Sequence, residues 1–319
     1  MSADANTPAK PHTIHAGHQH LAWDNSREPA ITIAPGDTVV FEDIDATSGQ
    51  LTAESTAESI RDLDFGLVNP ISGPVYMDGA KPGDALKVTL EGFDPSGWAW
   101  TAIVPGFGLL ADDFPDPAIH IWHYERDFGT PAVFSPHARV PLKPFCGTIG
   151  LASAQAGEFS TIPPYFHGGN MDIRDLTAGV DLYLPVQVDG ALFSIGDTHA
   201  AQGDGEVCGT AIEAPMSVSA KFDLVKDANL KFPRFRTHEP VSRHLDSKGY
   251  DVSTGIGPDL MEASKNAVRG TIDLLSKEHG LAPQDAYMLC SVCADLRISE
   301  IVDQPNWVVS CYFPRVVFD

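Results

Sequence analysis

Basic residues are scarce in this chain. Against 43 Asp and Glu there are only 21 Lys and Arg in 319 residues, a formal charge of −22. Such a surface opposes phosphate backbones and anionic lipid headgroups, so neither nucleic acid nor a membrane is an expected partner. Long apolar runs are missing as well, and nothing has the length of a bilayer span. The first residues, MSADANTPAKPH, carry no apolar stretch behind their few charges and do not read as a secretory signal, which makes a cytoplasmic location the expectation. Cysteine is sparse and odd in number (Cys146, Cys208, Cys290, Cys293, Cys311), without a disulfide framework spacing, which suits a reducing compartment. The chain also lacks a Gly-x-Ser-x-Gly elbow, a phosphate loop, a dinucleotide glycine fingerprint and a His-Glu-x-x-His helix. Serine-hydrolase, nucleotide-driven and nicotinamide chemistry lose their usual signals.

What is present is a mainly β pattern. From residue 31 short apolar runs are cut by Gly, Pro and Asp, as in ITIAPGDTVVFE and KPGDALKVTLEGF, which points to a sandwich or barrel body. In Lys87-Val88-Thr89-Leu90-Glu91 the alternation predicts one buried and one wet face. Residues 92–165 are rich in Pro, Gly and aromatics without sustained periodicity and read as long irregular loops, either binding-site loops or plain surface. Past residue 222 the character changes. GPDLMEASKNAVRGTIDLLSKEHG places Leu260, Met261, Ala267, Val268, Ile272 and Leu275 near helical spacing, with Pro258 at its start and Gly280 as its stop. A second helix is predicted from Pro283, and NWVVSCYFPRVVFD reads as a buried strand. The expected organisation is a β-sandwich or barrel body over residues 1–222, carrying the site, with an α+β portion over residues 223–319 packed on it.

The densest chemistry lies in GDTHAAQGDGE, residues 196–206, just after the run YLPVQVDGALFSI, which reads as one strand. Asp197 and His199 are two apart, so an extended chain points both to one side, and an Asp-x-His pair suits a divalent metal. Two ligands do not hold a catalytic ion. The preferred third is Asp172, in PPYFHGGNMDIRD, with His167 as another option. Glu206 is placed to accept a proton from an attacking water if the pocket raises its pKa, and Asp204 reads as a further ligand or a turn residue. The competing reading of the whole stretch is an exposed, acidic hairpin tip. At the N-terminal side His12 and His15 read as incidental. His20 beside Trp23 precedes the first clear strand, where the pair could wall a site. Cys290 and Cys293, a lone Cys-x-x-Cys in an apolar helix, read as core thiols.

The strings FHGGNMDIRDLTAGVDLYLPVQVDGALFSIGDTHAAQGDGEVCGTAIEAP (166–215), SGPVYMDGAKPGD (72–84), HLAWDNSREPAITIAPGD (20–37) and DLRISEIVDQPNWVV (295–309) resemble the acetamidase/formamidase family over nearly the whole chain. The resemblance implies a mainly β fold with an α+β portion, a divalent metal, and hydrolysis of short amides to a carboxylate and ammonia. Its motif falls on His20, Asn170, Asp172, Asp197, His199, Gln202, Asp204 and Glu206. The division of roles expected here on chemical grounds makes Asp172, Asp197 and His199 ligands of a zinc-like ion. Glu206 becomes the proton carrier, and His20 or Asn170 stabilises the oxyanion. A nitrilase-type site around Cys146 and Lys143 lacks an evident Glu. The alternative from another class is a non-catalytic β-sandwich module that binds calcium or a small polar ligand, which His199 within the cluster disfavours. Selectivity for so small a substrate is expected from a tight pocket, with Trp98, Trp100, Phe107 and Trp122 as candidate walls. A homo-oligomer is expected only as the common state of soluble enzymes.

Overall fold

The computed structural model describes residues 12–318. The reading of the first eleven residues lies outside this range. The body is a sandwich of two sheets. One has six strands in the order His12–Ile14, Thr38–Ile44, Met216–Val225, Ala85–Pro95, Asp181–Pro185 and Arg234–Arg236. The other has seven. Its main path runs Pro164–Tyr165, Gly168–Asn170, Phe145–Leu151, Phe193–His199, Ile71–Met77 and Gln19–His20, and Ile31–Ile33 pairs in parallel with Ile71–Met77.

Both Pro-Gly-Asp turns launch strands of the six-stranded sheet, and Gly36 and Gly83 take φ of +96° and +97° there, a region that favours glycine. Val88 and Leu90 are buried while Lys87, Thr89 and Glu91 are not, as the alternation predicts. The inward faces of the two sheets meet through Phe41, Phe193 and Phe222. The ring centroids lie 5.9 Å apart for Phe41–Phe193 and 4.9 Å for Phe193–Phe222.

The C-terminal helices run Leu260–His279 and Pro283–Cys293. The first is capped by Asp259, whose carboxylate accepts from the Glu262 amide at 2.9 Å, and stops at Gly280 in the left-handed conformation. Its Met261 faces solvent instead of the core. The second starts with Pro283 at its first position and is buried along Ala286–Cys293, because apolar side chains surround it on all sides. With the sheet Tyr250–Gly257, Trp307–Pro314 and Asp295–Glu300 they form the α+β portion. One apolar core joins them to the body, through Ala99, Ile103 and Trp122 on one side and Tyr287, Leu289 and Val292 on the other. A boundary at residue 222 falls inside the strand Met216–Val225, and Arg234–Arg236 still belongs to the body's sheet.

Two expectations change. Residues 92–165 are not irregular but hold the strands Trp98–Ile103, Ala118–His123, Ala132–Ser135, Ala138–Val140 and Phe145–Leu151. Phe145–Leu151 is buried on both faces and Trp98–Ile103 nearly so, and no alternation marks such a strand. The run YLPVQVDGALFSI is two strands in two different sheets, and the second continues through Asp197 to His199. No described helix is long and apolar enough to cross a membrane.

Candidate active site

The site is built where Phe145–Leu151, Phe193–His199 and the turn after Gly168–Asn170 converge. Asp197 and His199 lie near the end of a central strand buried along its whole length. Asp172 reaches them from the neighbouring turn because its amide and that of Met171 donate to the carbonyl of Gly147, at 3.2 and 3.0 Å. Gly147 is a steric requirement. A Cβ there would stand 2.3 Å from Asp172 Oδ1, 2.9 Å from Asp197 Oδ2 and 3.0 Å from His199 Cε1.

Residues 196–206 are not the exposed hairpin tip of the competing reading: they are largely buried, and the loop that follows the strand is tied on both sides. Ala200 and Ile212 exchange backbone hydrogen bonds with Ile212 and Ala201, at 2.8 and 2.9 Å. Gly203 donates to the Ser291 carbonyl at 2.8 Å, and the Asp204 carbonyl accepts from Leu296 at 2.9 Å. The loop is thereby anchored on the end of the second helix and the strand beyond it. Asp172, Asp197 and Glu206 all take left-handed backbone, with φ of 48°, 55° and 43°. Three site carboxylates in that region store strain that the surrounding packing must hold in place, a pattern of functional sites.

The ligand atoms of Asp172, Asp197 and His199 lie within 4.8 Å of one another, and so do those of His199, Glu206 and Glu213. The fold thus brings Asp172 beside Asp197 and His199, which share one strand. Glu213 was not singled out from the sequence. Its signal was an acidic residue alone in the apolar run VCGTAIEAPM, where a carboxylate is either buried with a purpose or absent. Asp204 stays outside the cluster as a turn residue facing Arg174, whose Nε is 3.4 Å away.

The charges in this cluster are mutually dependent. Burial, then the nearby Asp197, raise Asp172 to about 7. Burial and Asp197 also raise Glu213 to about 7, and burial with Asp172 raises Glu206 well above the carboxylate range. Burial works against a charged His199, yet Glu213 and Asp197 on either side raise it well above its ordinary value. Asp197 is lowered by His199 in spite of its own burial.

The donor set fits a divalent ion. Asp172 Oδ1, His199 Nε2 and Glu213 Oε2 are buried and make no hydrogen bond. His199 Nε2 is 3.2 Å from Asp197 Oδ1 and 3.1 Å from Glu213 Oε2, close but out of hydrogen-bond alignment. Buried acceptors facing one another are costly, and a cation among them removes that cost. An imidazole beside carboxylates suits zinc better than calcium.

Asp197, Glu206, Glu213 and Asn170 open onto one cavity of about 180 Å³. Asn170 is steered by Thr148, whose hydroxyl donates to Asn170 Oδ1 at 2.6 Å and so leaves the amide nitrogen for other partners. Of the expected walls, Trp100 and Phe107 line the cavity. Trp98 and Trp122 do not line it; Trp122 is core and donates to Thr101 at 2.9 Å.

The histidines divide differently. His20 lies beyond Gly196, across Ile71, and meets Ser194 Oγ at 3.4 Å instead of lining the cavity. Burial, helped by Arg27, lowers it to about 4, so it is neutral near pH 7. His167 is neither a ligand here nor exposed. It is buried against Trp23 and stacked on Tyr165, with centroids 5.7 and 5.1 Å away. His12 and His15 pair with Asp37 and Glu42. All five thiols are buried, and burial pushes Cys146 far above the ordinary thiol value, which removes it as a nucleophile.

The model of the acetamidase/formamidase family matches residues 6–158 and 153–319. The chain is 28% identical to the formamidase of Methylophilus methylotrophus, over 95% of this chain and 90% of that one. It is 29% identical to the acetamidase of Mycolicibacterium smegmatis, over 85% and 84%. Among solved structures it is similar to a gamma lactamase from Delftia acidovorans, with a TM-score of 0.88 and 27% identity over 95% of this chain and 90% of that one. An acetamidase from Bacillus halodurans gives a TM-score of 0.67 and 29% identity over 95% and 97%. With the family's pattern running from one end of the described fold to the other, and its carboxylates and histidine gathered around one cavity, the chain belongs to the acetamidase/formamidase family.

Proposed function

We propose that this protein hydrolyses short aliphatic amides, the formamide and acetamide class, to carboxylate and ammonia with the help of a divalent ion, preferably zinc. The observation that carries this reading is the set of buried, unpartnered donor atoms of Asp172, His199 and Glu213 beside the cavity that Glu206 and Asn170 line.

Asp172, Asp197, His199 and Glu213 would hold the ion. When bound, it supplies Lewis acidity toward a water and an amide carbonyl, and the charge that lets these carboxylates ionise together. Glu206 takes the proton from the attacking water and returns it to the amide nitrogen, which makes ammonia a competent leaving group. Amides need that second step because nitrogen lone-pair donation weakens the carbonyl and disfavours departure of the amine. Asn170 offers its amide N–H groups to the developing oxyanion. It takes this role in preference to His20 because it lines the cavity and its oxygen is already engaged by Thr148.

Ammonia release from formamide, acetamide and propanamide, before and after chelation and zinc re-addition, tests the reading. Metal-restored turnover is expected. Glu206→Gln should keep the metal and lose turnover by a factor of about 10² to 10⁴. Full turnover in that variant would remove Glu206 from the mechanism.

A further inference from the structure

We infer that the apolar part of the active-site cavity is an acyl site for carboxamides bearing a compact apolar body of about six carbons, and that such amides are turned over more efficiently than acetamide. The inference rests on the amidase reading above and moves its preferred substrates beyond the formamide and acetamide class.

Size comes first. The cavity measures about 180 Å³, and an apolar cavity of about 150 Å³ holds a benzene molecule. The single methyl of acetamide leaves most of that space unfilled. This is larger than the tight pocket expected for a formamide or acetamide site.

The lining is equally telling. Beside Asn170, Asp197, Glu206 and Glu213, and with Thr47, Asn69 and Thr210 as further polar lining, the walls include Leu63, Val68, Trp100, Val104, Phe107 and Ile162. Trp100 and Val104 are only 5% and 6% exposed and belong to a small core with Leu51, Ile60 and Ala102, so this wall is fixed by packing. It also abuts the chemistry directly. Trp100 and Glu213 exchange backbone hydrogen bonds at 2.9 and 2.8 Å. On the other side Phe107 lies against Gly209, where a Cβ would stand 2.5 Å from the ring.

Phe65, Phe107 and Ile162 line the same cavity yet stay 54%, 46% and 36% exposed. Single exposed apolar side chains are ordinary, but a group of them around one cavity marks a binding surface. Because this cavity contains Glu206 and Asn170, an apolar occupant joined to a carboxamide would bring the amide to them. Each buried methylene is worth roughly fourfold in binding, so several of them outweigh the easier entry of a smaller amide.

The test is kcat/KM for ammonia release by the metal-loaded enzyme from acetamide, butanamide, cyclohexanecarboxamide and the oxane analogue of the last, in which an ether oxygen replaces one ring methylene. The expected order rises from acetamide to cyclohexanecarboxamide by about 30-fold or more, with the oxane several-fold below its carbocycle. Phe107→Ala should lower the cyclohexanecarboxamide-to-acetamide ratio by about tenfold and Phe107→Leu should restore much of it. Val68→Phe, which fills the cavity, should lower the ratio further. Efficiency that falls steadily from acetamide upward, or is equal for carbocycle and oxane, overturns the acyl site and leaves the amidase reading standing. No ammonia from any of the four overturns both.

Discussion

His199 Nδ1 lies 3.1 Å from Gln202 Oε1, and the same Gln202 donates through Nε2 to the Asp172 carbonyl at 2.8 Å. That second bond fixes which end of the amide faces the ring. The oxygen faces Nδ1, so Nδ1 must donate, and Nε2 is the nitrogen that gives up its proton when a cation takes its place among the carboxylates. Gln202 thus selects the metal-binding tautomer and ties it to the turn carrying Asp172.

Gln202→Leu should therefore bind metal 10- to 100-fold more weakly, by the general scale of such supporting contacts. Competition against a chelator of known affinity measures this. Turnover at saturating zinc should recover in part, and an unchanged affinity would mean that the ring is oriented by its packing on Phe145, whose centroid is 4.9 Å away.

Gly147→Ala isolates the geometry of the cluster. The backbone at Gly147 is not in the left-handed region, so alanine adds only a methyl group. That methyl would lie 2.3 Å from Asp172 Oδ1. The expected result is a folded protein by circular dichroism that has lost stoichiometric zinc and at least about 100-fold in activity, since a misplacement of about 1 Å costs that much.

The sequence made the long helix legible through its apolar stripe and its Gly280 stop, whereas Pro258, read as its start, lies one residue before the Asp259 cap. Asp172, Asp197 and His199 were legible because spacing and family motif coincide. Phe145–Leu151 and the segment carrying Glu213 were not, for one shared reason: residues buried on every side leave no alternation to read. The role of Gly147 had no local signal either. It arises from three side chains that meet only when two strands and a turn are brought together. The cavity walls were half legible, since bulk marks Trp100 and Trp122 alike and only tertiary packing separates a lining residue from a core one.

Arg174 and Asp295 form a buried pair, 4% and 0% exposed, with Nη1 to Oδ1 at 2.6 Å and Nη2 to Oδ2 at 2.9 Å. The pair joins the turn of Asp172 to the C-terminal portion, and Asp295 also accepts from the Asp204 amide at 3.3 Å. Asp295→Asn should destabilise by about 3 kcal/mol, because it removes the buried counter-charge and leaves the guanidinium only the half-exposed Asp204. The double variant Arg174→Met, Asp295→Leu should regain much of this in denaturant unfolding. Its activity should stay low, because the bond from Asp295 to the Glu206 loop is still missing. Recovery of both would assign the pair to stability alone.

Acid should destabilise the fold through neutral histidines, the buried His167 and the partly buried His244. Burial lowers His167 to about 4 and, with Lys143 and Arg174 nearby, His244 to about 4. Above about pH 6.5 both the folded and unfolded chains hold these rings neutral, and the stability is fully present. Between about 6.5 and 4 the unfolded chain takes up protons that the folded chain refuses, so stability falls as the pH falls through that window. Below it both states are protonated and the loss is complete. For the nearly inaccessible His167 the limit is about 3 kcal/mol. Thermal melts at pH 7 and pH 4.5 on the wild type and His167→Gln measure it. The variant should start lower, having lost the stack on Tyr165, and should fall by less. The raised carboxylates of the cluster act in the opposite direction but equally in both proteins, so they cancel in the comparison. An identical fall would mean that the ring already accepts a proton within the folded aromatic pocket.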